Sequence, residues 1–247
     1  MPQADLLERL RELEEIVVYR EPPPAGERPY RYEAGDFPVL ISAPHGAAHM
    51  RKGRMKLEDE YTTGFARLIA AETGAHVIYA THLNQADPNW DRESAYKTCL
   101  HKIIEQHNIQ FVLDLHGMRN AYKIGLAVGT MNGRSCPKHQ PLIEQTLAQH
   151  RFRPITQDQS AAHDKLEWDT MVLNYSKFTG GLTSHTITRF ASQTLGVPAA
   201  QVELCSAARI VERGPHGDWP FTYYGRPEAI AQAARGLMAV TEQVGQG

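Results

Sequence analysis

Pro38-Val39-Leu40-Ile41-Ser42-Ala43-Pro44-His45-Gly46 is a short apolar run that stops at a histidine and a glycine, and Phe111-Val112-Leu113-Asp114-Leu115-His116-Gly117 repeats its plan. Short apolar runs bounded by turn formers read as buried strands of a parallel sheet. Residues just past such strands lie where α/β folds hold their ligands. Two histidines at two strand ends are therefore the first candidates for chemistry.

Working outward from these runs, the chain follows a strand and helix rhythm that predicts an α/β fold. Leu6, Leu7, Leu10, Leu13 and Ile16 recur at helical spacing and predict an amphipathic helix over Ala4 to Glu15, with Ile16 to Tyr19 extending as a strand. The proline-rich stretch Glu21 to Gly26 is a loop, and a basic irregular loop is expected from Ala47 to Lys56. Glu58-Asp59-Glu60 opens a helix through Tyr61, Phe65, Leu68 and Ile69 that stops at Gly74. A strand over Ala75 to Thr81, a turn at Asp87 to Asp91, a helix from Glu93 to Gln106, a strand at Ile124 to Val128 and a helix from Pro141 to His150 follow. Residues 153–182 are polar with weak periodicity, as expected of a lid or binding loop within one 247-residue domain. Beyond them come a helical stretch from Thr183 to Leu195, a strand from Val197 to Leu204 and a closing helix from Pro227 to Val244.

Composition excludes several classes of function. A formal charge of -2 with no long basic block argues against nucleic acid or anionic membrane as partner, and leaves a small-molecule or peptide-like substrate. The three scattered cysteines fit neither a disulfide framework nor a thiolate zinc site. Met1 to Arg20 lacks the basic start and apolar centre of a secretion signal, and no apolar run approaches a membrane span, so a soluble cytoplasmic protein is expected.

A hydrolytic zinc site needs three fixed ligands of the His, Asp or Glu type and one open position. His45 and His116 supply two, and the acidic triplet after His45 supplies the third. Glu60 is the first choice within it, with Glu58 and Asp59 behind. A carboxylate in a buried strand is costly unless it is paired or catalytic, so Glu203 in Gln201-Val202-Glu203-Leu204 is the candidate general base. Its structural alternative is an ion pair with Arg209. Asp114 shares the strand face of His116 and can orient it or ligate beside it. Arg92, after the Pro-Asn-Trp-Asp turn, is a candidate for the substrate's carboxylate or the scissile carbonyl, while His49 and His216 read as turn residues.

Ser42-Ala43-Pro44-His45-Gly46, Glu58-Asp59-Glu60, Asp87-Pro88-Asn89-Trp90-Asp91-Arg92, Asp114-Leu115-His116-Gly117, Gly180-Gly181 and Gln201-Val202-Glu203 occur in the order found in the N-formylglutamate amidohydrolase family, which this chain resembles over most of its length. The order is also similar to that of zinc-dependent N-acetylmuramoyl-L-alanine amidases, a pattern that favours Glu60 over Glu58. The resemblance implies a three-layer α/β/α sandwich around a mixed, mainly parallel sheet, as in the phosphorylase/hydrolase-like folds. It implies one zinc ion (Zn2+) and hydrolysis of a C–N amide bond in a small N-acyl amino acid or peptide-like substrate. It also implies substrate contacts near the paired glycines, where Gly181, His185 and Arg189 stand. The arginines of the family pattern are replaced by Thr179 and Ser206, which leaves Arg209 as the nearest basic group after Glu203. The alternatives are a cell-wall amidase or carboxypeptidase-like enzyme, and a non-catalytic metal-binding module on the same fold.

Overall fold

A computed structural model describes residues 1–215 and 220–246. Ten strands and eight helices carry the argument: α1 Gln3–Glu14, β1 Tyr30–Glu33, β2 Phe37–Ala43, β3 His49–Arg51, β4 Arg54–Lys56, α2 Thr62–Thr73, β5 Ala75–Ala80, α3 Ala95–His107, β6 Phe111–Met118, β7 Ile124–Gly129, α4 Gln140–Gln149, β8 Arg153–Pro154, α5 Gln157–Ala161, β9 Glu167–Leu173, α6 Ile187–Arg189, β10 Ala199–Cys205, α7 Ser206–Arg209 and α8 Pro227–Val244. Eight strands form one sheet in the order β1-β5-β2-β6-β10-β7-β9-β8. Its pairs are parallel except at β1 with β5 and β10 with β7. This is the expected mixed, mainly parallel sheet between two helical layers.

Strand periodicity sorts the side chains between those layers. Val39, Ile41 and Ala43 of β2, Phe111, Leu113 and Leu115 of β6, and Ala200, Val202 and Leu204 of β10 pack into a large core with α1, α2, α4 and α8. Leu40, Val112 and Ala199 face the other way, into a smaller core under α3 and α6. Further along that second face the same alternation brings Ser42, Asp114, His116, Gln201 and Glu203. Register sets them side by side: Ser42 pairs with Asp114, Gln201 with Asp114, and Glu203 with His116. The smaller core thus ends where a polar patch begins, at the carboxyl ends of three neighbouring strands.

Several expectations need correction. Ile16 to Tyr19 is not a strand; Val17 N–H returns to Glu14 and Val18 N–H reaches Thr81, so no ladder forms. Strand β1 answers instead, bonded antiparallel to β5. The basic loop contains the β3–β4 hairpin. Residues 153–182 are not a single loop, because β9 within them pairs along β7, and only their last part reaches the cavity described below. Helix α2 begins after the acidic triplet, capped at Gly74 in the left-handed conformation as expected. Thr183 to Leu195 forms only α6 and one wider turn. His216 lies outside the described residues.

Candidate active site

The histidines are oriented by carboxylates. His45 Nε2 lies 2.9 Å from Asp87 Oδ1, and His116 Nε2 lies 3.0 Å from Asp114 Oδ2. With the ring proton on Nε2, each Nδ1 keeps a free lone pair, the usual arrangement of a metal-binding histidine. Both Nδ1 atoms face one oxygen, Asp59 Oδ2, at 3.6 Å from His45 and 3.3 Å from His116. Tetrahedral zinc with bonds of about 2.1 Å separates its donors by roughly 3.4 Å. Both of these distances match that separation, and donor atoms of His45, Asp59 and His116 all lie within 4.8 Å of one another, close enough to share an ion.

Asp59, not Glu60, is the acidic residue that joins the histidines. Its backbone N–H donates to the His45 carbonyl at 2.7 Å, and its own carbonyl accepts from the Thr62 N–H and hydroxyl at the start of α2. That double tether returns Asp59 to the end of β2. Glu60 turns the other way, its Oε2 on Arg213 Nη1 at 3.0 Å and its carbonyl on Arg209. Glu58 is held by Arg20 through both carboxylate oxygens.

The electrostatics call for positive charge. Burial opposes a charged imidazole, yet Asp59 and Asp87 hold His45 above its ordinary pKa, and Asp114, Asp59 and Glu203 hold His116 well above. Burial works against the charge of both carboxylates, yet His116 and His45 pull Asp59 down, and His45 and His49 pull Asp87 down. Glu203 behaves differently. Burial pushes it up to about 7, with the Asp59 charge adding and His116 opposing. Its Oε1 accepts the Gln201 amide at 2.6 Å.

Asp87 is a hub that sequence reasoning missed. It accepts from His45, from the Asn89 N–H at 2.8 Å and from Arg51, and His49 Nε2 lies 3.3 Å away with its ring stacked on His45. His45, His49 and Asp87 also come close enough to share a cation, but the Arg51 guanidinium on Asp87 repels one there. Asn89 lies beside His116, held there by its Oδ1 accepting from the Ile187 N–H at 2.8 Å. The sequence signs of this turn were its Asp-Pro-Asn punctuation and its place among the motifs of the family resemblance, and they pointed to Arg92 rather than to Asp87.

A cavity of about 740 Å³ opens over these groups, lined by His45, Asp59, His116 and Glu203. Arg209 reaches it 95% buried, with a relative exposure of 5%; it packs on Gly117, where any Cβ would collide with the guanidinium, and donates to the Glu60 carbonyl. No carboxylate hydrogen-bonds it among the described residues, so the expected alternative of a Glu203 pair is absent there. Gly181 also lines the cavity. Arg189 does not; it donates to the Gly181 and Leu182 carbonyls and braces their loop. His185 is exposed and outside the lining, as is Arg92, because the turn sends Trp90 rather than Arg92 towards the opening.

Neither a protein-family model nor a curated protein matches the chain. Among solved structures, the N-formylglutamate amidohydrolase of Ralstonia eutropha JMP134 superposes with a TM-score of 0.54 at 14% identity, over 88% of this chain and 97% of that one. The chain shares that fold. A bacteriophage poly-gamma-glutamate hydrolase (TM-score 0.48, 13% identity, 90% of each chain) and the succinylglutamate desuccinylase of Chromobacterium violaceum (0.45, 13%, 94% and 76%) superpose too loosely to add to this. No described helix is long and apolar enough to cross a membrane.

Proposed function

We propose that the chain is a zinc-dependent amidohydrolase that cleaves the C–N bond of a small N-acyl amino acid or peptide-like amide. The observation that carries this reading is the convergence of His45 Nδ1, His116 Nδ1 and Asp59 Oδ2, each histidine turned by its own buried carboxylate, beside the buried Glu203 that pairs with His116 in strand register. One zinc ion on those three atoms would supply Lewis acidity towards a carbonyl and a water molecule. Glu203, at the edge of the same cavity, takes a proton from the attacking water and delivers it to the leaving nitrogen. Asp87 and Asp114 keep the two imidazoles in the ligating tautomer. Arg209, desolvated and without a carboxylate partner among the described residues, takes a carboxylate of the substrate, since a buried guanidinium gains most from a bidentate anion.

Metal analysis tests the reading. Purified protein is expected to hold about one zinc per chain, and His45→Ala and His116→Ala are expected to hold traces and lose turnover of N-acyl amino acids. Unchanged zinc in both variants would sink the site as drawn.

A further inference from the structure

Single exposed apolar side chains are ordinary, but a group of them at a cavity mouth marks a binding surface. Met55, Leu57 and Trp90 are 49%, 57% and 39% exposed, and all three line the cavity that holds His45, His116 and Glu203. Met55 lies on β4, and Leu57, two residues on and just past the strand's end, continues it, so extended backbone would turn both to one side of the chain. Trp90 lines the same cavity from the turn after β5, packed against the side chains of Arg51 and Lys52 at the hairpin tip; Arg51, one register step from the Met50–Met55 pair, belongs to the other face of the hairpin from Met55. Arg51 is already paired with Asp87, the Lys52 ammonium sits 4.5 Å from the Trp90 ring centroid, and Lys56 is exposed.

This wall and the Arg209 region enter the cavity from different sides. The hairpin and the turn follow β2 and β5, on one side of β6 in the sheet; Arg209 follows β10, on the other. Glu203 is on β10. In the proposed reaction Glu203 must reach the leaving nitrogen, so the amino-acid half lies towards β10 with its carboxylate on Arg209. The acyl half then lies towards the hairpin.

We propose that Met55, Leu57 and Trp90 form the subsite for the acyl half, and that the acyl group is apolar and several carbons long, aliphatic or aromatic. The inference rests on the amidohydrolase reading above and goes beyond it, because a formyl group has too little surface to cover these three side chains. Each methylene buried there is worth about fourfold in affinity.

The test is a series of N-formyl, N-acetyl, N-butyryl, N-hexanoyl, N-benzoyl and N-succinyl derivatives of L-glutamate and of L-alanine. Two readouts are taken: kcat/KM on zinc-loaded protein, and Kd by calorimetry on zinc-loaded Glu203→Gln. Both are expected to improve from formyl to hexanoyl by about fourfold per methylene, with benzoyl high and succinyl low. Trp90→Ala and Leu57→Ser are expected to flatten the series, and Trp90→Phe to restore most of it; if Leu57→Ser fails to fold, the Trp90 pair decides. A flat series in wild type, or a preference for formyl or succinyl, overturns the inference. Affinity that climbs with chain length while no derivative is hydrolysed leaves the inference standing and removes the amidohydrolase reading. No binding of any derivative overturns both.

Discussion

Glu14 and Glu203 are each 6% exposed, and burial pushes each carboxyl up to about 7, yet the two do different things. Glu14 ends α1 on the large-core face. Its Oε1 accepts the Tyr19 hydroxyl and the Tyr61 N–H, its Oε2 accepts the Gly64 N–H, and it thereby caps α2, whose own cap residue Tyr61 supplies no side-chain acceptor. Glu203 sits on the opposite face with Gln201 as its hydrogen-bond partner among the described residues, and it fronts a cavity beside two histidines. A raised pKa records burial. What separates Glu14 as a cap from Glu203 as the proton carrier of the proposed reaction is whether the oxygens are already spent on backbone donors.

Exchanging each carboxylate for an amide tests that contrast. Glu203→Gln is expected to lower kcat by about 10²–10⁴-fold while zinc content and melting temperature stay near wild type; full activity would remove Glu203 from the chemistry. Asp87→Asn releases the Nε2 side of His45 and is expected to weaken zinc about 10–100-fold, read by competition with a chelator. Glu14→Gln has the opposite profile. Its amide NH2 must face a backbone N–H, so a loss of roughly 1–3 kcal/mol of stability is expected with kcat little changed. The pH dependence has a definite sign. Glu14 binds its proton up to about 7 in the folded chain but only to about 4.5 when free, so its stabilisation is complete below about 4.5 and is lost as pH rises to about 7. The stability gap between wild type and Glu14→Gln should accordingly narrow across that window in denaturant titrations. Smallest of all, Arg92→Ala is expected to change kcat/KM less than about twofold; a large loss would put Arg92 back in the site despite its exposure.

Much of the fold was legible because apolar periodicity is a local signal. Strands β2, β5, β6, β7 and β10 and helices α1, α2, α3, α4 and α8 all follow from it to within a few residues. Strand β9 was not legible, since Glu167-Trp168-Asp169-Thr170 opens it with polar residues. Strand β1 was hidden by the charged Tyr-Arg-Tyr-Glu pattern of a sheet edge.

Within the site, His45, His116 and Glu203 stood out in the sequence because each interrupts an apolar strand or ends one, where a polar group must have a reason. The choice among Glu58, Asp59 and Glu60 had no such signal. Three adjacent acids look alike in a sequence; a backbone hydrogen bond to His45 aims Asp59 inward, while Arg20 and Arg213, distant in the chain, draw its neighbours away. Asp87, Asn89 and Trp90 likewise gain their places only when the turn after β5 folds over the end of β2. The sequence by itself determined the layered sheet and the two histidines at its strand ends, because burial and periodicity act over a few residues. The tertiary structure decided which carboxylates meet those histidines and what lines the cavity, because those contacts depend on loops closed by partners far along the chain.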